Sequence, residues 1–163
     1  MMLNDKTVAA YTAILREELL LATGCTEPIA VAYCAAKLRE VLGGKPEEVL
    51  AEVSGNILKN VKSVVVPNTD GRRGIDAAIA VGIVAGDADA ELQVIANVTE
   101  DDAAAIQGYL DATPIKVTCP ETPCLLDIFL HGRREGHTAA VRVANNHTNI
   151  IYIERDGEIL LEK

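Results

Sequence analysis

The sequence predicts an α+β fold, in which a helical N-terminal half carrying a junction at Cys25 precedes a largely antiparallel sheet with one packed helix. In the first half, apolar residues recur every three or four positions or fill whole turns. In the second half, short β-prone segments follow one another instead of alternating strictly with helices. We therefore expect residues 1–90 to be mainly helical and residues 91–163 to form an α+β subdomain with antiparallel strands.

The helical half contains three predicted helices. Residues 6–22 place Val8, Tyr11 and Leu15 on one face, and Gly24 ends this helix. A second helix begins with Thr26 as N-cap and is apolar all round over residues 29–36, which is typical of a buried helix. We expect it to need packing partners, which further C-terminal helices can supply, and we expect a fragment without those helices to expose this face. A run of small and apolar residues predicts the third helix at residues 75–85.

The strands are predicted from alternation and from turn signals. Apolar and polar residues alternate over 49–53, and Thr99 followed by three acids predicts a capped helix to about residue 110. Asp156-Gly157 is a two-residue hairpin signal between apolar segments. The remaining predicted strands are residues 92–98, 115–119, 125–130, 138–143 and 149–154.

Composition excludes several classes of function. The 163 residues are 49% hydrophobic and 24% charged, as in folded globular chains. Fifteen Lys and Arg against 24 Asp and Glu leave a net charge of −9, which disfavours nucleic acid as a partner. Without an apolar run of about 18 residues or a signal-peptide pattern, we expect a cytoplasmic protein with no membrane partner.

Cys25 is the main candidate for chemistry. It lies at the junction between Gly24 and the second helix, where unpaired backbone N–H groups and the helix dipole lower the pKa of a thiol. A thiolate suits a metal, a cluster or a nucleophile. The equally weighted alternative is that Cys25 has only a structural role, as a small residue that fits a tight corner.

The other cysteines and the histidines are weaker candidates. Cys34 lies about half a turn around the helix from Cys25, so the two cannot share a ligand set, and Cys34 is interpreted as a core residue. Cys119 and Cys124 form a C-x4-C turn with two prolines, which favours incidental or redox-labile thiols over zinc. Three histidines are interpreted as strand or turn residues, with a metal triad as the minor alternative: His131, His137 and His147.

Two polar loops suggest recognition of a small carboxylate or amino acid, because amides, hydroxyls and cations pair well with carboxylate oxygens. Ordinary turn chemistry is the alternative. Neither loop matches a phosphate-binding or dinucleotide fingerprint. The loop residues are Ser54, Asn56, Lys59, Asn60, Asn68, Thr69, Arg72 and Arg73.

Three ordered motifs, residues 23–30 (TGCTEPIA), 53–60 (VSGNILKN) and 66–69 (VPNT), resemble the L-cysteine desulfidase family. That family is related to the alpha chain of bacterial iron–sulfur L-serine dehydratases. The resemblance continues through residues 74–86 and 145–149, so it covers nearly the whole chain.

The resemblance implies a carbon–sulfur lyase that converts L-cysteine to pyruvate, ammonia and sulfide at a 4Fe–4S cluster held by three cysteines. Only the first cluster ligand carries over to this chain, onto Cys25. The resemblance assigns no residue of this chain as the general base. The positions implied to line the substrate site are Ser54, Asn56, Lys59, Asn60, Asn68 and Thr69.

The chain also departs from that family. Family enzymes are more than twice as long, and Cys34, Cys119 and Cys124 do not match their later cluster cysteines. The resemblance therefore implies an N-terminal part of the catalytic domain, inactive alone, whose partners are the remaining C-terminal part, L-cysteine or L-serine, and a second copy of the chain. The alternatives are an L-serine dehydratase-type lyase, and a non-catalytic amino-acid-binding or assembly module.

Overall fold

The computed structural model describes residues 4–19 and 21–163. Within this part, no helix is long and apolar enough to cross a membrane. Two short 3₁₀ helices, Ala88–Gln93 and Glu100–Asp102, lie between the fourth and fifth α-helices. The α-helices are α1 (Asp5–Glu18), α2 (Thr26–Leu42), α3 (Gly55–Val61), α4 (Gly74–Ala85) and α5 (Ala103–Ala112).

The strands form one six-stranded sheet in the order β2-β1-β3-β4-β5-β6. Only the pair β1 and β2 is parallel, and every other neighbouring pair is antiparallel. The predicted α+β class is therefore confirmed. The strands are β1 (Glu48–Val53), β2 (Ile115–Thr118), β3 (Asp127–Arg134), β4 (His137–Ala144), β5 (Ile150–Arg155) and β6 (Glu158–Glu162).

The core is built in layers, because helix α2 packs on one face of the sheet and helix α4 packs on the other side of α2. Every side chain from Pro28 to Ala36 in α2 is buried, as its all-round apolar sequence predicts. Its partners α4, β3 and β4 all belong to this chain, so the expectation that this face is exposed without further helices is wrong. The helices α2 and α4 approach closely: a Cβ atom on Gly82 would lie only 2.2 Å from the carbonyl oxygen of Ala32, so this position requires glycine.

Two segments differ in type from the prediction, and α1 ends at Glu18, earlier than the predicted residue 22. Residues 55–61 show no clear periodicity, yet they form α3, because the Ser54 hydroxyl caps the helix by accepting from the Ile57 N–H. The predicted strand at 92–98 is absent from the described structure of that segment. Val94 and Ile95 are buried there in a turn, so these apolar residues enter the core without pairing in the sheet.

Three connections meet at one end of the sheet: the one after β1, the one between β2 and β3, and the one between β4 and β5. Strands β1, β2 and β4 end there, and strands β3 and β5 begin there. The Ser54 N–H donates to the Asp127 carbonyl at 2.9 Å, and the Asn145 N–H donates to the Leu126 carbonyl at 3.0 Å. Strand β1, from the first half of the chain, pairs in the sheet with strands from the second half. The predicted division of the chain into residues 1–90 and 91–163 stays a prediction.

Candidate functional site

The three sequence motifs meet where α2 begins. A Cβ atom on Gly24 would lie 2.7 Å from Cγ of Pro67, so the first and third motifs touch at a position that needs glycine. The Asn60 side-chain amide donates to Glu27 Oε1 at 3.4 Å, which joins the second motif to the first. The resulting candidate site centres on Cys25 and Glu27.

The Cys25 thiol donates to Glu27 Oε2 at 3.2 Å and caps no backbone group of α2. Partial burial and the hydrogen bond with Glu27 raise the pKa of Cys25 above its ordinary value. The predicted lowering of this pKa is therefore wrong, because desolvation by burial, reinforced by the neighbouring Glu27 carboxylate, disfavours the thiolate. At pH 7 Cys25 is a neutral hydrogen-bond donor.

Glu27 is an ionised carboxylate with several donors around it. Burial alone would raise its pKa, but the hydrogen bonds from Cys25 and Thr26 and the nearby His147 hold that pKa below its ordinary value. Sequence reasoning included Glu27 only as part of the first motif and His147 only as a turn residue or metal ligand, and it assigned neither of them to the substrate site. Glu27 lies two residues after Cys25, which is the only signal that the sequence contains, whereas nothing in the sequence places His147 beside it.

One face of α3 extends this site. Asn56, Lys59 and Asn60 are related by spacings of three and four residues, so they share a helical face, and Asn60 contacts Glu27. Asn56 and Lys59 are exposed. Asn56 also lines an open cavity of about 670 Å³, whose other wall is the loop from Cys119 to Leu125. The predicted binding residues of the second motif thus lie between Glu27 and this cavity.

The other predicted substrate residues bond to the backbone. Ser54 is 2% exposed and donates to the Leu125 carbonyl in addition to capping α3. Thr69 is 1% exposed and donates to the Val66 carbonyl at 2.7 Å. Asn68 has a φ of 59° and donates to the Ile95 carbonyl at 2.9 Å. These three side chains hold loops in place, which is the turn chemistry considered as the alternative.

The cysteines do not converge on one place. Cys34 is fully buried and lies 3.3 Å from the Val141 carbonyl, as expected of a core residue. Cys119 and Cys124 line the 670 Å³ cavity together, whereas Cys25 and Cys34 are not among its lining residues. Across residues 4–19 and 21–163, no group of three or more His, Cys, Asp or Glu is arranged to hold a metal ion. These donors do not fit a cluster held by three cysteines.

Two of the three histidines form separate pairs on the strands. His131 Nε2 lies 3.0 Å from Glu52 Oε2, and His137 Nδ1 lies 2.9 Å from Asp156 Oδ2. His147 lies in the loop between β4 and β5. The interpretation as strand or turn residues is confirmed by these positions.

Comparison with known proteins finds relatives named UPF0597 protein. The relative from Desulfitobacterium hafniense is 50% identical over 157 residues, which are 96% of this chain and 36% of the relative. The relative from Treponema denticola is 45% identical over 163 residues, which are 100% of this chain and 38% of the relative. The chain therefore spans little more than a third of these curated relatives. No family model and no solved structure matches it.

These relatives correct the assignment to the L-cysteine desulfidase family. They match nearly the whole chain and carry a different family name, so the prediction of an N-terminal fragment of an iron–sulfur desulfidase is wrong. The motifs behind the assignment are short, and several of their residues have local structural roles, such as the cap made by Ser54 and the turn made by Thr69. Neither the 4Fe–4S cofactor nor enzymatic activity is tested by these findings, and both stay predictions.

Proposed function

We propose that this chain contributes a binding site for a small amino acid. In this site the Glu27 carboxylate receives the ammonium group of the ligand, and the exposed face of α3 receives its carboxylate. The observation that carries the proposal is the hydrogen bond between Asn60 and Glu27, which places an ionised carboxylate beside a face that carries Lys59 and Asn56. L-serine and L-cysteine are the candidate ligands.

The charges around Glu27 support this choice of ligand. An amino acid at pH 7 has a cationic and an anionic end, so it needs one acceptor and one set of donors close together. Glu27 offers the acceptor, and its lowered pKa keeps it ionised at pH 7. Lys59 and Asn56 offer donors one helical turn or less from Asn60. A ligand without net charge also suits a chain whose net charge is −9.

Cys25 and the neighbouring cavity complete the proposed site. As a neutral donor, the Cys25 thiol orients one oxygen of Glu27 and leaves the carboxylate available to an ammonium group. The cavity of about 670 Å³ beside Asn56 falls within the volume range of small-molecule sites, roughly 300–1,000 Å³. It offers room for the side chain of the ligand.

Calorimetric titration of L-serine and L-cysteine into the wild-type chain and the Glu27→Gln variant tests the proposal. Loss of a charge-assisted hydrogen bond of about 1.5–3 kcal/mol should weaken binding by roughly ten- to a hundredfold. L-lactate, which lacks the ammonium group, and ethanolamine, which lacks the carboxylate, should not bind to the wild-type chain.

A matched pair of lysine variants gives the control. Lys59→Gln should weaken binding, whereas Lys62→Gln, which makes the same charge change at the exposed end of α3, should leave it unchanged. Circular dichroism confirms that each variant is folded. If neither amino acid binds to the wild-type chain, or if Glu27→Gln binds as tightly as the wild type, the proposal is wrong.

A further inference from the structure

Helix α1 is well formed but packs against nothing extensive in this chain. Asn4 caps it by accepting from the Thr7 N–H at 2.9 Å. Its apolar side chains Val8, Tyr11 and Leu15 are 47–55% exposed. Among the described residues, no other helix or strand packs closely along α1. An amphipathic helix therefore presents an uncovered apolar face.

Such a helix needs a partner surface to be stable. Isolated helices shorter than about 12–15 residues are marginal in water, and α1 has 14 residues. Val8, Tyr11 and Leu15 follow the spacing of three and four that marks a buried face in most globular helices. The partner that covers this face can be a second copy, a membrane or another segment of polypeptide.

The sequence of α1 disfavours the first two partners. Fourteen residues make only two heptads, fewer than the three or four that a stable coiled coil needs, and two copies with a net charge of −9 repel each other. A helix that binds membranes is rich in Lys and Arg on its polar face. Here only Lys6 and Arg16 are basic, against three acidic residues of the same helix.

We infer that the apolar face of α1 docks onto the part of the polypeptide that the longer relatives have beyond the residues matched by this chain. The match to these relatives covers 36–38% of their length, so most of each relative is available to supply a partner surface. Attachment within one polypeptide gives a high effective concentration, which allows a face of this size to dock. The inference does not depend on the proposed amino-acid site.

Hydrogen–deuterium exchange of this chain and of the Treponema denticola relative tests the inference. The match to this relative covers all 163 residues, so α1 has an aligned counterpart in it. The amides of α1 should exchange quickly in this chain and at least a hundredfold more slowly in the full-length relative. Equal exchange in the two proteins would falsify the inference.

Substitutions in the relative identify the face. Aspartate at the positions aligned with Tyr11 and Leu15 should remove the protection, while aspartate at the position aligned with Ala13, on the opposite face, should retain it. In this chain, Leu15→Asp should leave the melting temperature unchanged. The inference is overturned if this chain sediments as a dimer that Leu15→Asp dissociates, or if it binds phosphatidylglycerol vesicles through α1.

Discussion

Helices α1 and α2 follow each other in the chain and have opposite surroundings. The apolar stripe of α1 faces solvent, whereas α2 is buried from Pro28 to Ala36 between α4 and the sheet. The comparison shows that the all-round apolar sequence of α2 correctly indicates burial within this chain. The amphipathic stripe of α1 indicates a buried face, but it does not indicate whether the covering surface belongs to this chain. Small residues in α2 and α4, such as Ala32 and Gly82, allow these two helices to pack closely.

The largest effect should come from truncating equivalent leucines in the two helices. Leu38 in α2 is fully buried, so Leu38→Ala should lower the free energy of unfolding by about 2–5 kcal/mol. Leu15 in α1 is 54% exposed, so Leu15→Ala should change it by less than about 0.5 kcal/mol. Urea denaturation of both variants measures the difference. Similar losses in the two variants would contradict the contrast between the helices.

A second pair of variants concerns the contact between α2 and α4. Gly82→Ala places a Cβ atom 2.2 Å from the Ala32 carbonyl oxygen, and this overpacking should cost about 3 kcal/mol. Gly108 lies exposed in α5 with no atom within 4 Å of the corresponding Cβ position. Gly108→Ala should therefore stabilise the chain by roughly 0.5–1 kcal/mol.

Thermal melts should show opposite shifts in melting temperature for the two variants, with Gly82→Ala lower and Gly108→Ala higher than the wild type. If Gly82→Ala melts at the wild-type temperature, α2 and α4 do not approach closely enough for a Cβ atom at position 82 to clash with the Ala32 carbonyl oxygen. Gly108→Ala also serves as the control for helix propensity, because it makes the same chemical change within a helix.

A smaller effect should come from Asp127 on β3, one of the strands that α2 covers. Burial alone would raise the pKa of Asp127, but hydrogen bonds from Arg142, at 2.6 and 2.8 Å, and from Thr122 lower it. A lowered pKa in the folded state contributes stability above the unfolded pKa of about 3.9, and this stability is lost as the pH falls through the folded pKa.

Asp127→Asn should therefore lower the free energy of unfolding by about 1.5 kcal/mol at pH 7, since asparagine still accepts one hydrogen bond. The difference from the wild type should shrink as the pH falls below about 4. Urea denaturation at several pH values measures it. A difference that stays constant down to pH 2 would show that the charge of Asp127 does not contribute.

The sequence predicted the order of most helices and strands and the burial of Cys34, because these follow from local periodicity and composition. It predicted a strand at 92–98, where apolar residues instead pack in a turn, since apolar content alone does not distinguish a strand from a buried turn. In the site, Cys25 and Asn60 were identified, but the direction of the pKa shift of Cys25 was not, because it depends on burial of the thiol and on Glu27.

The sequence by itself determined two local features: the hairpin at Asp156-Gly157 and the all-round apolar character of α2. Only the tertiary structure decided that Asn60 reaches Glu27, 33 positions away, and that α1 lacks a partner within the described chain. The physical reason is that caps and periodicity act between neighbours in the sequence. Contacts between distant residues depend instead on how the helices pack on the sheet.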